Sequence, residues 1–154
     1  MIDQRELLAD FNALPESEKQ KIRENDAINR AKRERAAMQN IREKTIKNRI
    51  KYSGIPEEYK FAKLEYCALS IQQYFAALDI DVREDLLLRG DAGTGKTYAA
   101  CAVGMEYIKG HTVRFVTMPY FLRAVNGTWI SRAETPQEAF DRYAGADLLI
   151  LDDL

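Results

Sequence analysis

The sequence predicts an α/β fold in which a parallel sheet with flanking helices follows a charged helical arm. Three observations support this fold class. The stretch Gly90-Asp91-Ala92-Gly93-Thr94-Gly95-Lys96-Thr97 fits the phosphate-binding pattern G-x-x-x-x-G-K-[ST] at every position. The apolar run 148–151 leads into Asp152 and Asp153, which is typical of a buried strand that ends in carboxylates. Residues 16–52 are highly charged and contain neither glycine nor proline, which indicates a long helix.

The arm, residues 1–52, is predicted to contain two helices. Residues 3–6 have the form of a capping box that starts a short helix. Pro15 then stands where the first residue of a second helix is expected, with Glu16 and Glu18 in the first turn, and this helix should run to about Tyr52.

The net charge of −1 conceals a basic segment in the arm. Between Arg30 and Lys51 there are nine basic residues against Glu34 and Glu43. The apolar stripe of the same helix is thin and consists of Ile28, Ala31, Met38 and Ile41. Two interpretations remain open: a solvated charged helix, or an arm whose stripe docks on a partner while its basic face lies near nucleic acid.

A domain boundary is predicted at Ser53-Gly54-Ile55-Pro56, because glycine and proline interrupt a helix. After it, apolar residues spaced three and four apart predict one core-facing helix. They are Phe61, Leu64, Ala68, Ile71, Phe75 and Leu78. The aromatic residues here are interpreted as packing rather than as an adenine platform.

The flanks of the phosphate-binding loop predict a strand before it and a helix after it. Leu86–Leu88 is an apolar run that suits a buried parallel strand, and the uncharged residues after Thr97 suit a buried helix that stops near Gly110. The loop glycines let backbone N–H groups approach phosphate oxygens. Lys96 would meet the β- and γ-phosphates, and Thr97 would ligate Mg²⁺.

Further strands and helices are predicted after the loop. Residues 113–117 form a second strand, Met118-Pro119 opens a helix to about Asn126, and Trp129 and Ile130 lie in a connector. A helix from Pro136 to about Ala144 ends at Gly145. The strand 148–151 then brings Asp152 to the sheet edge where the loop lies, where it can hold Mg²⁺ through water, and Asp153 could orient an attacking water.

Several function classes are disfavoured by composition. His111 is the only histidine, so no histidine-based metal site or Ser-His-Asp triad can be built. Cys67 and Cys101 belong to no metal-binding spacing and are interpreted as reduced packing residues. No apolar run has the length of a membrane span, so we expect no membrane association and a cytoplasmic location.

At this point the sequence resembles a known family. Residues 87–97, the Ser53–Pro56 segment and the stretch 146–154 look like the bacterial and phage helicase loaders of the DnaC and DnaI type, and they also resemble the IstB transposition ATPases, a sister group within the AAA+ proteins. The resemblance covers residues 53–154 and implies a P-loop NTPase core of the AAA+ type that takes ATP and Mg²⁺.

The resemblance also implies roles and partners. Gly90 to Thr97 would bind the nucleotide, Thr97 and Asp152 the metal, and Lys96 and Asp153 would serve catalysis. Residues 1–52 would grip a replicative DNA helicase, the core would bind single-stranded DNA, and the full-length protein could form an oligomer. An IstB-like transposition helper, a non-hydrolysing adaptor and, less favoured, a small-molecule phosphotransferase remain alternatives.

Two features depart from the family pattern. Asp152-Asp153 stands where Asp-Glu is frequent, and the sequence stops at Leu154, before the sensor residues, the arginine finger and the helical lid. We therefore expect an N-terminal part of the core, with weak nucleotide binding and no ATPase turnover. The segments 86–89 and 148–152 are expected either to pair directly with each other or to leave open strand edges.

Overall fold

The computed structural model describes residues 13–77, 85–126 and 135–154. The helix predicted at residues 3–6, Leu78, and the connector with Trp129 and Ile130 lie outside these ranges. The chain divides into two compact units, Met1–Lys44 and Thr45–Leu154. The division falls inside the first described helix, ahead of the boundary predicted at residues 52 and 53.

The first described helix, α1, spans Glu16–Tyr52 without a buried residue. The carbonyl oxygen of Pro15 accepts the N–H groups of Glu18 and Lys19 at 3.0 and 3.1 Å. Pro15 therefore caps the helix from outside, and its predicted place as the first helical residue is wrong by one position. Met38 and Ile41 of the apolar stripe are 70% and 60% exposed.

The sheet of the second unit pairs two parallel strands, β1 (Val113–Thr117) and β2 (Leu148–Asp152). Their register runs from Val113 opposite Leu148 to Thr117 opposite Asp152. This confirms the strands predicted in these two places and the mixed α/β fold class with helices flanking a parallel sheet. Because the strands are parallel, Thr117 and Asp152 both lie at the carboxyl edge of the sheet.

The helices of this unit are α2 (Leu69–Ala77), α3 (Lys96–Tyr107), α4 (Met118–Val125) and α5 (Pro136–Ala144). The helices predicted at Met118 and Pro136 are confirmed, and Gly145 ends the latter as expected. The start of α5 is fixed by a capping box between Thr135 and Glu138. The buried core joins α3 to the strands and to the segment after α1 through Ile55, Cys101, Ala102, Ile108, Val113 and Ile150.

The strand predicted before the phosphate-binding loop is not formed, and one of the two alternatives for its pairing is excluded. Residues 85–90 form no strand in the described chain, and Leu87 is 64% exposed, because the segment has no neighbouring strand to pair with. The direct pairing considered for residues 86–89 and 148–152 does not occur, since β2 pairs only with β1 among the described residues.

The single helix expected from Phe61 onward is also not formed. Two short 3₁₀ turns, Glu57–Tyr59 and Leu64–Tyr66, precede α2. Extended backbone at Lys63 separates the two turns, and extended backbone at Cys67 separates the second turn from the helix. Phe61 is consequently 87% exposed while Ala62 is buried. Three residues per 3₁₀ turn place side chains differently from the 3.6 of an α-helix, so the apolar spacing does not map onto one face.

The segment after α1 runs along the outer edge of β1. The N–H of Phe115 donates to the carbonyl oxygen of Ser53 at 2.7 Å, and the guanidinium of Arg114 donates to the carbonyl oxygen of Tyr52. Gly54 has φ +78, and an added Cβ would lie 2.6 Å from the carbonyl oxygen of Phe115. Glycine is therefore required here by both backbone conformation and space.

The last turn of α1 is fixed to the end of α3 as well. Arg49 Nη1 donates to the carbonyl oxygen of Ile108 at 3.3 Å, directly after α3 ends. Ser53 is fully buried, and its hydroxyl donates to the carbonyl oxygen of Ile50 at 2.9 Å while accepting the N–H of Ile55 at 3.1 Å. The residues from Arg49 to Ile55 thus form an anchor on α3 and β1.

Candidate nucleotide-binding site

The phosphate-binding loop has the backbone that its glycines predict. Gly93 and Gly95 adopt φ +79 and +83, and a Cβ added to either would meet no atom within 4 Å. The space beside the loop backbone is therefore open, and a side chain at these positions would occupy it. This open cradle fits phosphate groups approaching the backbone N–H groups.

The helix α3 begins at Lys96, directly after the loop, with Gly95 as its N-cap. Among the residues that the structure describes, no side chain caps this helix end by a hydrogen bond. The first N–H groups of a helix carry partial positive charge and need an acceptor. A phosphate can serve as that acceptor, which is the second feature of the loop that fits a nucleotide.

The side chain of Lys96 lies back against its own loop. Its Nζ donates to the carbonyl oxygens of Gly90 and Asp91 at 2.9 and 2.8 Å. The hydroxyl of Thr94 donates to the carbonyl oxygen of Asp91 at 2.8 Å. The Lys96 ammonium group therefore lies at the loop. A bound anion would have to replace these two carbonyl oxygens as its hydrogen-bond acceptor.

Thr97 and Asp152, the predicted metal ligands, are in contact. The Thr97 hydroxyl lies 3.1 Å from Asp152 Oδ1 and 3.0 Å from Oδ2. One side chain comes from the first turn of α3 and the other from the last residue of β2. A hydroxyl and a carboxylate are oxygen ligands of the kind Mg²⁺ takes in nucleotide sites.

The described residues contain no cluster of three or more His, Cys, Asp or Glu side chains that could hold a metal ion. One carboxylate and one hydroxyl are enough protein ligands for Mg²⁺, because this ion usually keeps several water ligands and takes phosphate oxygens as further ligands. The donor set therefore fits a cation that arrives with a phosphate-bearing ligand.

Asp153, the predicted water-orienting residue, follows directly after β2. It is exposed and has φ +56, in the left-handed region that costs most residues roughly 1–2 kcal/mol and that aspartate tolerates better than most. The strand β2 ends at Asp152, so Asp153 lies just outside it. Its catalytic role stays a prediction.

Two neighbours of the site were not predicted. Cys101, one turn after Thr97, is fully buried, and burial together with the nearby Asp152 charge raises the pKa of its thiol to about 12. The Tyr98 hydroxyl accepts the N–H of Lys63 at 3.1 Å, and the Tyr59 and Tyr98 rings meet edge to face. The Tyr98 contacts join residues far apart in sequence, so local spacing gives no signal for them, whereas the i, i+4 spacing of Thr97 and Cys101 on one helix does place them together.

The loop, the helix that starts from it and the carboxylate at the end of β2 define a P-loop nucleotide-binding protein. Comparison with protein families identifies the chain further: the sequence model described as IstB-like ATP binding protein matches residues 12–154. The chain belongs to this family, and it is an ATP-binding protein of the AAA+ type. The match extends through α1, beyond the residues 53–154 expected from the motifs.

No curated protein sequence matched the chain. No helix among the described residues is both long enough and apolar enough to cross a membrane.

Proposed function

We propose that the chain binds ATP together with Mg²⁺ at residues 90–97 and uses the nucleotide to act on DNA, as a loader that places a replicative helicase on single-stranded DNA. The contact between Thr97 and Asp152 carries the nucleotide part of this proposal, because it brings a helix residue and a strand residue together beside a complete phosphate-binding loop. Such a pair is what a Mg²⁺–nucleotide complex requires of a P-loop protein.

In this proposal each residue of the site has one task. The backbone N–H groups of the loop and of the first turn of α3 would hold the phosphates, and Thr97 and Asp152 would hold the cation. Bound Mg²⁺ would neutralise charge on the phosphate oxygens. With a nucleotide present, Lys96 would exchange the carbonyl oxygens of Gly90 and Asp91 for the β- and γ-phosphates, and Asp153 would be the residue to orient an attacking water.

The partners in this proposal are a replicative DNA helicase, single-stranded DNA and other copies of the protein. The support comes from α1, whose exposed Met38 and Ile41 offer an apolar stripe and whose basic segment 30–51 offers positive charge. An apolar stripe on a helix suits a protein groove, and a basic face suits phosphate. We also propose a cytoplasmic location, because a protein that acts on bacterial or phage DNA replication works in the cytoplasm.

A second candidate is a helper ATPase of transposition, and the family match to an IstB-like protein over residues 12–154 supports it. A non-hydrolysing adaptor would use the same arm without turnover. Affinity capture with the tagged chain distinguishes the first two: enrichment of purified replicative helicase supports the loader, and enrichment of a purified transposase supports the helper. Capture that does not change with nucleotide would favour the adaptor.

The nucleotide proposal is tested by Lys96→Ala. Loss of a charged hydrogen-bond donor at the phosphates should weaken binding of a fluorescent ATP analogue by about tenfold or more. Lys109→Ala is the matched control, since Lys109 is an exposed lysine that pairs with Glu106 at the other end of α3. An unchanged dissociation constant for Lys96→Ala, measured on folded protein, would rule out the assignment.

A further inference from the structure

A cleft of about 350 Å³ lies on the second unit, apart from the phosphate-binding loop. It sits against the carboxyl half of β1 and between that strand and the helices α4 and α5. The residues that define its chemistry are Gly54, Phe115, Thr117, Tyr120, Arg142 and Tyr143. No residue from 90 to 97 lines it, so it is a separate site.

The walls of the cleft are aromatic and cationic. The guanidinium of Arg142 lies 4.7 Å from the centroid of the Tyr143 ring, and its Nη2 donates to the Tyr143 hydroxyl at 3.1 Å. Tyr143 is only 6% exposed and meets Phe121 edge to face, so this ring is held in place. Tyr120 is 40% exposed at the opening. Such surfaces favour planar aromatic groups.

Further cations lie on β1 and on the segment just before Gly54, one of the residues that line the cleft. Arg114 contacts the carbonyl oxygen of Tyr52, and the Lys51 ammonium lies 5.3 Å from the centroid of the Tyr52 ring. Tyr52 itself is 62% exposed. Lys51 and Arg142 thus each lie beside an aromatic ring, and Arg114 lies against the Tyr52 carbonyl oxygen. No carboxylate is among the described residues that line the cleft.

We propose that this cleft binds single-stranded nucleic acid, with a base stacked against Tyr120 and against the Arg142 guanidinium, which lies over the buried Tyr143 ring, and with the backbone phosphates along Arg114 and Lys51. Aromatic rings combined with a basic track are the features by which proteins hold single strands without sequence preference. In a duplex the bases are stacked inside and could not enter. The inference rests on the DNA part of the proposed function and names where the strand is held.

The position of the cleft relative to β2 follows from the strand register. Thr117, which lines the cleft, lies opposite Asp152 in the ladder. A strand held in the cleft and a nucleotide held at the loop would therefore be bound at the same edge of one sheet. No residue of the phosphate-binding loop lines the cleft, so substitutions can address the two sites separately.

The test measures anisotropy of a labelled oligothymidylate and the emission of a fluorescent purine analogue that stacking quenches. Tyr120→Leu and Arg142→Gln should each weaken binding by at least about fivefold, the lower end of the cost of losing one base–aromatic stack, and Tyr120→Leu should reduce the quenching. Tyr66→Leu and Lys63→Gln are the matched controls. Tyr66 is 71% exposed and also has a lysine ammonium near its ring, but it lies on a different part of this unit. The controls should bind within about twofold of wild type.

Melting temperatures establish that each variant is folded, and photocrosslinking of wild-type protein to a bromodeoxyuridine oligonucleotide tests the site without substitution. Adducts at Tyr120 or at Tyr52 support the inference. Wild-type affinity in both cleft variants, adducts only elsewhere, or stronger binding to duplex than to single strands would overturn it. If only substitutions at Lys32, Arg33 and Arg35 of α1 reduce binding, the DNA function stands and the cleft assignment falls. If no nucleic acid binds, both fall, while ATP binding by the same preparation remains a separate result.

Discussion

Thr97 and Asp152 are fifty-five residues apart in sequence, and their side chains are in contact. The contact exists because α3 begins at the loop and β2 ends at the same edge of the sheet. A pair that is already assembled loses less conformational entropy when a ligand binds. The geometry of this pair is therefore an intrinsic property of the fold.

Asp152→Asn should separate binding of metal from binding of nucleotide. Without the carboxylate we expect ATP affinity in the presence of Mg²⁺ to fall by about tenfold or more, while affinity in EDTA changes little. Titrations of a fluorescent ATP analogue under both conditions measure this, with Asp141→Asn as a control on α5. An equal loss in the two conditions would exclude a role of Asp152 at the cation.

The hydrogen bonds of Asp147 should make the stability of the fold depend on pH in the acid range. The N–H and the hydroxyl of Thr112 donate to Asp147 Oδ2 at 2.7 and 2.8 Å, which, with the nearby charges of His111 and Arg49, holds the pKa of this carboxyl below its usual range. A lowered folded-state pKa gives stability that is present above the unfolded pKa, near 3.9, and is lost as pH falls through the folded value.

The measurement is the melting temperature as a function of pH below about 5, for wild type and Asp147→Asn. The variant should show a shallower acid decline, because its amide does not titrate. Asp85→Asn, at an exposed position, controls for the loss of one carboxylate. Parallel curves for wild type and Asp147→Asn would contradict the prediction.

Among the structural elements, the anchor formed by residues 49–55 should depend strongly on Gly54. Alanine there would adopt a left-handed backbone and press its Cβ against the Phe115 carbonyl oxygen, so we expect a loss of about 2 kcal/mol or more in the free energy of unfolding. Gly110→Ala is the matched control, because a Cβ at Gly110 meets no atom within 4 Å. Chemical denaturation measures both, and equal stabilities would show that β1 moves to accommodate the side chain.

If the basic segment of α1 binds single-stranded DNA, the affinity should depend on salt concentration. Replacing Lys32, Arg33 and Arg35 by glutamine should weaken binding of single-stranded DNA and lower the slope of log affinity against log salt by up to about 2, since fewer counterions are released. The same exchange at Lys19 and Lys21, earlier on the helix and outside the basic segment, serves as control. Unchanged affinity and slope would identify this part of α1 as a solvated helix.

At the scale of the whole molecule, the sequence predicted those features that depend on neighbouring residues. Pro136 and Gly145 mark the ends of α5, and the apolar runs at 113 and 148 are strands, because each signal acts within a few residues. The meeting of Thr97 and Asp152 was also predictable, since parallel strands bring their carboxyl ends to one edge.

Other features depend on partners distant in the chain. Leu86–Leu88 has the composition of a strand, but a strand exists only when another lies beside it, and apolar content does not report that neighbour. The close approach of Gly54 to the Phe115 carbonyl oxygen and the hydrogen bond from Thr112 to Asp147 could be predicted only if the register of β1 were already known. The cleft at Tyr120 is formed by three separate segments, so no local pattern indicates it.

The anchor of residues 49–55 has a thermodynamic consequence. Arg49 donates to the carbonyl oxygen of Ile108, just after α3, and the carbonyl oxygen of Ser53 accepts the N–H of Phe115 in the middle of β1. The candidate cation ligands lie on α3, which carries Thr97, and on β2, the neighbour of β1, which carries Asp152. Suppose that nucleotide binding changes the affinity of the arm for its partner by some factor. The partner must then change the affinity for the nucleotide by the same factor, because the free energy of the cycle is zero. A titration of ATP with and without the arm's partner therefore measures how strongly this anchor transmits binding in either direction.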